Sequence, residues 1–594
     1  MKKSFYLKAR RCVCVLMSVT LIFLSFGFMY AEDNPEYPKF AQRLLERFSE
    51  LPEGEAVDVM IWFTDIDNEA READALEILG FTPETWEDQA EKDELDEETI
   101  DSYISLKRSL AVERYNEHNG QIVAGLFDDA EIEFVSQYSP VIIAKMTFER
   151  LVEISDDERF VFADEYAESL IECQSLTDMK NSIKATNVHA STPYHYTGSG
   201  IKIGMVDLGQ PVINTVSYIR YNDVNPSTSN CEHADEVIQI LSKVAPDATF
   251  YCAPVWNGTP FNSSSLYTIE WLIGRGVNII VSGCSIGNDA VNQYGMVSAW
   301  IDHIAYQDDV HFVMPAGNWV EENGASSASG IVSGGMAYNA ITVGNVNTNG
   351  TPTIYSDDYR CITSSYNSSV MMTNPNSCKK PDICAAGTSL VTMHGVATGT
   401  SYSAPQVAGA LALICQSKSI LKTRQDAAKA ILLASVNFDS PLADTPTGMN
   451  YMATGAGFLD CVGAAWVAKN GRFKYGSIST NTTYKSYTFN VTSSDTRIRV
   501  ALTYLKNNHI DEYWSHSSYT PTDPVPTHVD ETPIARLHIA VYAPGSSTPL
   551  STHYVHNGTN VDIWDFVPSV TGTYTVRVYR DSALATTYYG LAWR

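Results

Sequence analysis

Gly399-Thr400-Ser401-Tyr402-Ser403-Ala404-Pro405-Gln406-Val407-Ala408-Gly409 sets a serine at a turn of small residues. It then enters an apolar, Ala-rich segment through Ala410, Leu411 and Ile414. The segment reads as a buried helix with Ser401 at its N-terminus. A hydroxyl placed there stands beside backbone N–H groups that have no partner within the helix. The positive end of the helix dipole favours negative charge developing on a nearby oxygen. Pro405 costs little in the first turn, where its missing N–H would be unpaired in any case. Gly-Thr-Ser alone is equally the mark of an ordinary capped helix. The full pattern G-T-S-x-S-x-P-x-V-A-G is far more specific.

Outward from this stretch, Lys184 to Ala468 alternates short apolar strands with helices. Ile201 to Val206, Thr249 to Ala253, Val277 to Val281, His311 to Met314 and Ala340 to Val343 read as strands. Glu236 to Val244, Leu266 to Arg275 and Val297 to Tyr306 read as helices. Nearly continuous apolar strands between helices imply an α/β fold, a doubly wound, mostly parallel sheet covered on both faces. Such sheets place their sites at the C-terminal ends of the strands.

The 594 residues are enough for several domains. Residues 1–31 read as an export signal: Lys2, Lys3, Lys8, Arg10 and Arg11 precede an uncharged, mostly apolar run from Cys12 to Tyr30, and Ala31 offers a small residue for cleavage. An uncleaved membrane anchor is the alternative for this run. Residues 32–175 hold 39 Asp and Glu against 11 Lys and Arg, which accounts for almost all of the net charge of −29. That concentration argues for a separate unit and against a nucleic-acid surface. Within it Val57 to Phe63, Val141 to Met146 and Arg159 to Ala163 read as strands and Phe148 to Ile154 as a helix. The stretch between Gly80 and Ala130 reads as an inserted helical pair, and Glu84 to Glu98 as a solvated helix face or loop. Residues 471–594 turn all-β. Alternation at Tyr487-Phe489-Val491, Ile498-Val500-Leu502, Leu537-Ile539-Val541 and Tyr574-Val576-Val578 predicts a sandwich.

Of the 11 cysteines, Cys361 with Cys378 is the pairing that the polar loop between them favours, and Cys415 reads as a buried thiol.

In its serine pattern the chain resembles the subtilisin-like serine proteases (subtilases), in which the serine matching Ser401 is the nucleophile. Further segments carry the resemblance. Asp207 ends the strand Ile203-Gly-Met-Val-Asp-Leu-Gly and matches the family's catalytic Asp, although Leu208 and Gln210 are unusual after it. His233, in Glu232-His-Ala-Asp-Glu-Val-Ile, matches His-Gly-Thr-x-Val only at His and Val. It is followed by Val244-Ala-Pro-Asp-Ala, as in the family. Asn318 ends Met314-Pro-Ala-Gly-Asn and matches the Asn that donates to the oxyanion. Ser285-Ile286-Gly287 is similar to the Ser-Leu-Gly segment that pairs with substrate as an added strand. Lys380-Pro-Asp-Ile-Cys-Ala-Ala-Gly and Gly455-Ala-Gly-Phe-Leu-Asp match scaffold segments. The resemblance covers about residues 184–468.

The resemblance implies a subtilisin-like catalytic domain over 176–470 and an α+β propeptide over 32–175 that blocks the site until cut between residues 164 and 183. Residues 471–594 match an appended jelly-roll-like sandwich. It further implies a secreted serine endopeptidase acting on proteins or peptides, with its own propeptide as partner and no organic cofactor. Structural calcium is common in the family; no diagnostic loop for it stands in the sequence. Membrane association follows only if the signal segment is retained. Asp235 and Glu236, beside His233, would favour the charged imidazolium. Two alternatives stand beside the protease. One is a catalytically impaired pseudoprotease that binds peptides or proteins, suggested by the surroundings of His233. The other is an adhesin using aromatics such as Tyr513, Trp514 and Trp564, which in sandwiches are more often core.

Overall fold

The computed structural model describes residues 37, 39–52, 54–91, 95–166, 178–190, 192–221, 231–255, 264–287, 289, 291–318, 330–351, 353–367, 379–444, 451–493, 497–506, 536–550, 559–582 and 586–594. The signal-like start, most of the stretch assigned to the maturation cut, Cys378, Tyr513 and Trp514 lie outside them.

Residues 37–166 build an antiparallel sheet from β1 (Val57–Phe63), β2 (Ile132–Val135), β3 (Val141–Met146) and β4 (Phe160–Glu165) in the order β2-β3-β1-β4. The expected helix Phe148–Ile154 is present, capped by the Thr147 side chain. The inserted pair is Pro83–Glu91 followed by the long helix Glu97–Leu126, which Asp96 caps by accepting from Thr99 N at 2.7 Å. The acidic stretch is not wholly solvated. Trp86 and Ala90 are buried, with Trp86 against Phe81 and Tyr103.

The central sheet comprises β5 (Lys202–Asp207), β6 (Tyr218–Arg220), β7 (Thr249–Pro254), β8 (Ile279–Ser282), β9 (His311–Pro315), β10 (Ile341–Asn347), β11 (Tyr359–Arg360) and β12 (Ile383–Ala386). Their order is β11-β10-β9-β8-β5-β7-β6, with β12 on β10; only β11 runs antiparallel. Successive side chains of a strand point to opposite faces, and this sheet is apolar on both. Ile279 and Val281 share a cluster with the helices Cys231–Val244 and Thr400–Ser417. Ile280 belongs to a second cluster with the helices Ser264–Gly274 and Met296–Asp308. The doubly wound α/β reading is therefore what the chain adopts. A small hairpin of β13 (Leu390–Thr392) and β14 (Gly395–Ala397) precedes the serine helix.

The N-terminal sheet is not a free-standing unit. Its core residues Trp62, Phe134, Ile142 and Phe162 belong to the same buried cluster as Leu272, Trp300 and Phe312. Polar contacts cross this boundary in the interior. Gln137 N donates to Glu270 Oε2 at 3.0 Å, the Ser136 hydroxyl donates to Glu270 Oε1, and Trp300 Nε1 donates to Ser139 Oγ at 3.0 Å. Burial pushes the Glu270 carboxyl up to about 8. Arg71 reaches Asp308 Oδ1 at 3.2 Å and the Gln307 carbonyl at 2.8 Å, with both charged side chains fully buried.

The C-terminal region is a sandwich of two antiparallel sheets. One orders β15 (Phe473–Ile478), β21 (Thr587–Trp593), β17 (Ile498–Tyr504) and β19 (Val561–Phe566). The other orders β16 (Tyr484–Val491), β20 (Gly572–Ser582) and β18 (Arg536–Tyr542). Alternation in β17 predicts one wet face, yet every residue from Ile498 to Tyr504 is buried. Ile498, Val500 and Leu502 fill the sandwich core. The opposite face packs on the region of the parallel sheet: Thr503 Oγ1 donates to the Asp426 carbonyl at 2.5 Å, and Arg499 Nη1 donates to the Ala456 carbonyl at 2.7 Å. Trp564 stacks on Phe566 against the sandwich core and is only partly exposed.

Candidate active site

The sheet's strand order reverses between β5 and β8, and a crevice forms at such a switch point beyond the C-terminal strand ends. Asp207 is the last residue of β5. Gly283 follows β8, and Asn318 follows β9 by way of Ala316 and Gly317. Three parallel strands thus deliver their ends to one place.

Asp207 is fully buried. Its Oδ1 accepts from Leu208 N at 2.7 Å and lies 2.5 Å from His233 Nδ1. A carboxylate only accepts, so Nδ1 carries the proton and Nε2 is left as the basic nitrogen. Gly283 makes this approach feasible. A β-carbon there would stand 2.2 Å from Asp207 Oδ2 and 3.2 Å from His233 Cε1. His233 lies in the first turn of Cys231–Val244, so this helix starts ahead of the expected Glu236.

None of the other candidate histidines meets this carboxylate. His189 and His311 face the carbonyls of Val244 and Leu421, and burial lowers His311 to about 4. His195 faces the His189 carbonyl, His394 faces Asp235, and His303 is enclosed with Tyr115 and Asp65 under the N-terminal sheet.

Ser401 occupies the first turn of the helix Thr400–Ser417 and is 6% exposed. Pro405 lies inside this helix, past the first turn expected for it, and leaves the Ser401 carbonyl without its helical donor. Its Oγ and the Asn318 Nδ2 lie 3.2 and 3.3 Å from the point where a β-carbon on Gly399 would stand, so both border the same small space. Thr400 orients Asn318. Its N–H donates to Asn318 Oδ1 at 3.0 Å, while its hydroxyl accepts from Gly317 N at 2.9 Å. The amide nitrogen of Asn318 is then the end left for the crevice. Thr400 is legible in the pattern only as a small residue; its pairing with Asn318 needs the fold.

The residues flagged as odd have physical partners. Leu208 packs in the apolar cluster beneath the N-terminal sheet, and Gln210 Nε2 donates to the Tyr221 carbonyl at 3.0 Å. Asp235 and Glu236 do not bond the imidazole. Asp235 Oδ1 accepts from Val212 N and Ile213 N, both at 2.7 Å, and Glu236 accepts from Tyr402 and Thr392. Ser285-Ile286-Gly287 follows Gly283 on the same edge and is buried. Ile286 N and O both face Ser333, at 3.4 Å to its carbonyl and 2.6 Å to its hydroxyl. Lys380 is scaffold: its Nζ bonds Asp382 at 2.7 Å and the Ala340 carbonyl at 2.9 Å. Cys415 is a buried thiol pushed up to about 12 by desolvation. Among the described residues no group of three or more His, Cys, Asp or Glu is arranged to hold a metal ion.

Residues 217–458 match the family model described as the subtilase family. The chain carries a subtilase domain. The matched span takes in His233, Asn318 and Ser401, and Asp207 lies just ahead of it. The match thus sets residues 217–458 within a family of serine proteases. No curated protein matches the sequence. Among solved structures, the chain is similar to fervidolysin from Fervidobacterium pennivorans, described as a keratinolytic enzyme related to subtilisin. That similarity has 12% identity, covers 78% of this chain and 67% of that one, and has a TM-score of 0.45. It is also similar to MycP1 with the N-terminal propeptide removed (17% identity, 48% and 96% coverage, TM-score 0.34). A third similar structure is the MycP3 protease from the type VII (ESX-3) secretion system (17%, 49% and 88%, 0.34). The buried Asp207–His233 pair, which joins the matched span to the strand just ahead of it, and the tethered Asn318 stand beside the start of the serine helix.

Proposed function

We propose that the protein is a secreted serine endopeptidase made as a precursor, with Ser401 as nucleophile, His233 as general base and Asp207 as its orienting acid. Ser401 Oγ attacks the scissile carbonyl while His233 Nε2 takes its proton. The imidazolium that forms is stabilised by Asp207 and returns the proton to the leaving amine. Water then repeats the sequence on the acyl-enzyme and releases the acid. Asn318 Nδ2 and the Ser401 N–H bind the oxyanion. No organic cofactor enters these steps. The observation that carries this reading is the buried 2.5 Å contact between Asp207 and His233 at the switch point of the sheet.

The substrate is a protein or peptide laid along Ser285-Ile286-Gly287. Ile286 is held from one side by Ser333, and the crevice side of the segment is where a substrate strand would pair.

Residues 32–175 are the propeptide, 176–470 the catalytic domain and 471–594 the sandwich. Support for the first is the docking of its sheet on the helices Ser264–Gly274 and Met296–Asp308. Export rests on the pattern of residues 1–31. Among the described residues no helix is long and apolar enough to cross a membrane.

The test is labelling with a serine-directed fluorophosphonate, with N-terminal sequencing of the secreted product. The wild type takes the label and shows a new N-terminus between residues 164 and 183; Ser401→Ala does neither. Equal labelling of both proteins refutes the assignment. A folded wild type that neither labels nor processes itself leaves the peptide-binding pseudoprotease.

A further inference from the structure

Two residues beside the site, Tyr402 and Glu236, form a bracket between the helix that carries Ser401 and the helix that carries His233. Tyr402 follows Ser401 directly and is fully buried. Its hydroxyl donates to Glu236 Oε2 at 2.6 Å. Glu236 lies one turn along from His233 on the same helix, so the two side chains share a face. Its other oxygen accepts from Thr392 Oγ1 in the hairpin β13–β14 at 2.5 Å. Both carboxylate oxygens are therefore engaged in a group that is 5% exposed. The Tyr402 ring also stands against the imidazole, with centroids 5.5 Å apart and planes inclined by 63°.

An imidazole held at Nδ1 alone can still pivot about that one contact. Its Nε2 then sweeps an arc past the hydroxyl it must deprotonate. The Tyr402 ring blocks the arc on one side. The Tyr402–Glu236 bond ties the backbone beside the nucleophile to the helix beside the base. We propose that Tyr402 and Glu236 are positioning residues that fix the His233 imidazole relative to Ser401. Glu236, one of the acid residues that make the surroundings of His233 atypical, thus braces the base. This inference rests on the reading of Ser401 and His233 as the reacting pair.

The experiment uses the full-length secreted enzyme, a chromogenic peptide and the fluorophosphonate. Variants are Tyr402→Phe, Glu236→Ala, their combination and Glu236→Gln. Tyr402→Phe keeps the ring and loses only the hydroxyl, so it tests the bond without opening a cavity. Tyr402→Phe and Glu236→Ala each lower kcat and the labelling rate by about 10- to 100-fold at nearly unchanged KM. The double variant is no worse than the poorer single, because the Tyr402–Glu236 bond is already lost in each single variant. Glu236→Gln, which still accepts from Tyr402, recovers much of the loss. A kcat within twofold of wild type for Tyr402→Phe, a loss confined to KM, or additive effects overturns the proposal while the Ser401 assignment stands. Labelling of Ser401→Ala overturns both.

Discussion

Replacing Arg71 by Met should strip the N-terminal unit of a buried interior anchor. The Arg71 guanidinium lies 3.2 Å from Asp308 Oδ1 and donates to the Gln307 carbonyl at 2.8 Å, and neither charged side chain is exposed at all. Among the described residues Asp308 Oδ2 has no hydrogen-bond partner, and Arg71 is the side chain that bonds this carboxylate, with the buried cations of Arg108 and Lys107 also acting on it. Removing one member of a buried pair typically costs ~3–5 kcal/mol, because the other charge is left in the interior. Replacing both by apolar residues of similar volume is often neutral or better. Arg71→Met in a Ser401→Ala background, which cannot digest itself, should lose ~3–5 kcal/mol in urea titrations followed by Trp fluorescence. Asp308→Leu added to it should restore part of the loss; the rest stays with the buried Arg108, which also faces this carboxylate. Once the chain is cut between residues 164 and 183, the same energy would weaken retention of the N-terminal unit by roughly 10²- to 4 × 10³-fold at about 1.4 kcal/mol per decade, measurable by size exclusion of the nicked protein. A single variant within 1 kcal/mol of the parent, or a double variant no better than the single, refutes the assignment of that energy to the charge pair.

Asn318→Ala should lower kcat by ~10²–10³ with little change in KM, read from steady-state peptide hydrolysis. Gly283→Ala places a carbon 2.2 Å from Asp207 Oδ2; the carboxylate must shift off His233, and the fluorophosphonate labelling rate should fall by at least ~10² while circular dichroism still reports a folded protein. Glu270 supplies a pH test. Its carboxyl is held up to about 8 by burial beneath Ser136 and Gln137. An acid raised in the native state contributes stability that is full below its unfolded value and is lost as pH rises through the native one. Melting temperatures of wild type and Glu270→Gln should therefore diverge from pH 5 to pH 8, the variant gaining relative stability as pH rises; parallel curves count against it.

The sandwich, the parallel sheet and the N-terminal sheet were legible because each leaves a periodic apolar signal. The strands at Val57, Val141 and Thr249 fall where alternation or continuous apolar runs place them. The placement of Asp207 at the end of an apolar strand, of Asn318 shortly past one and of Ser401 at the opening of an apolar helix was legible for the same reason. His233 was harder. The residues after it are chosen by partners distant in sequence: Val212 and Ile213 for Asp235, Tyr402 and Thr392 for Glu236. No local spacing encodes such pairings. The same limit hid Leu208, whose apolar side chain is explained by a sheet from the far N-terminus. It also hid the second buried face of β17, since Arg499 and Thr503 read as solvent-facing until their carbonyl partners are seen.

In β21, a β-carbon on Gly590 would stand 2.2 Å from Ala427 N, so the sandwich rests directly on the backbone of the helix Gln425–Ala434. That helix packs in turn on the serine helix. The last domain is accordingly a foundation and not a tail. Without it the helix Gln425–Ala434, and with it the underside of the subtilase domain, would stand open to water.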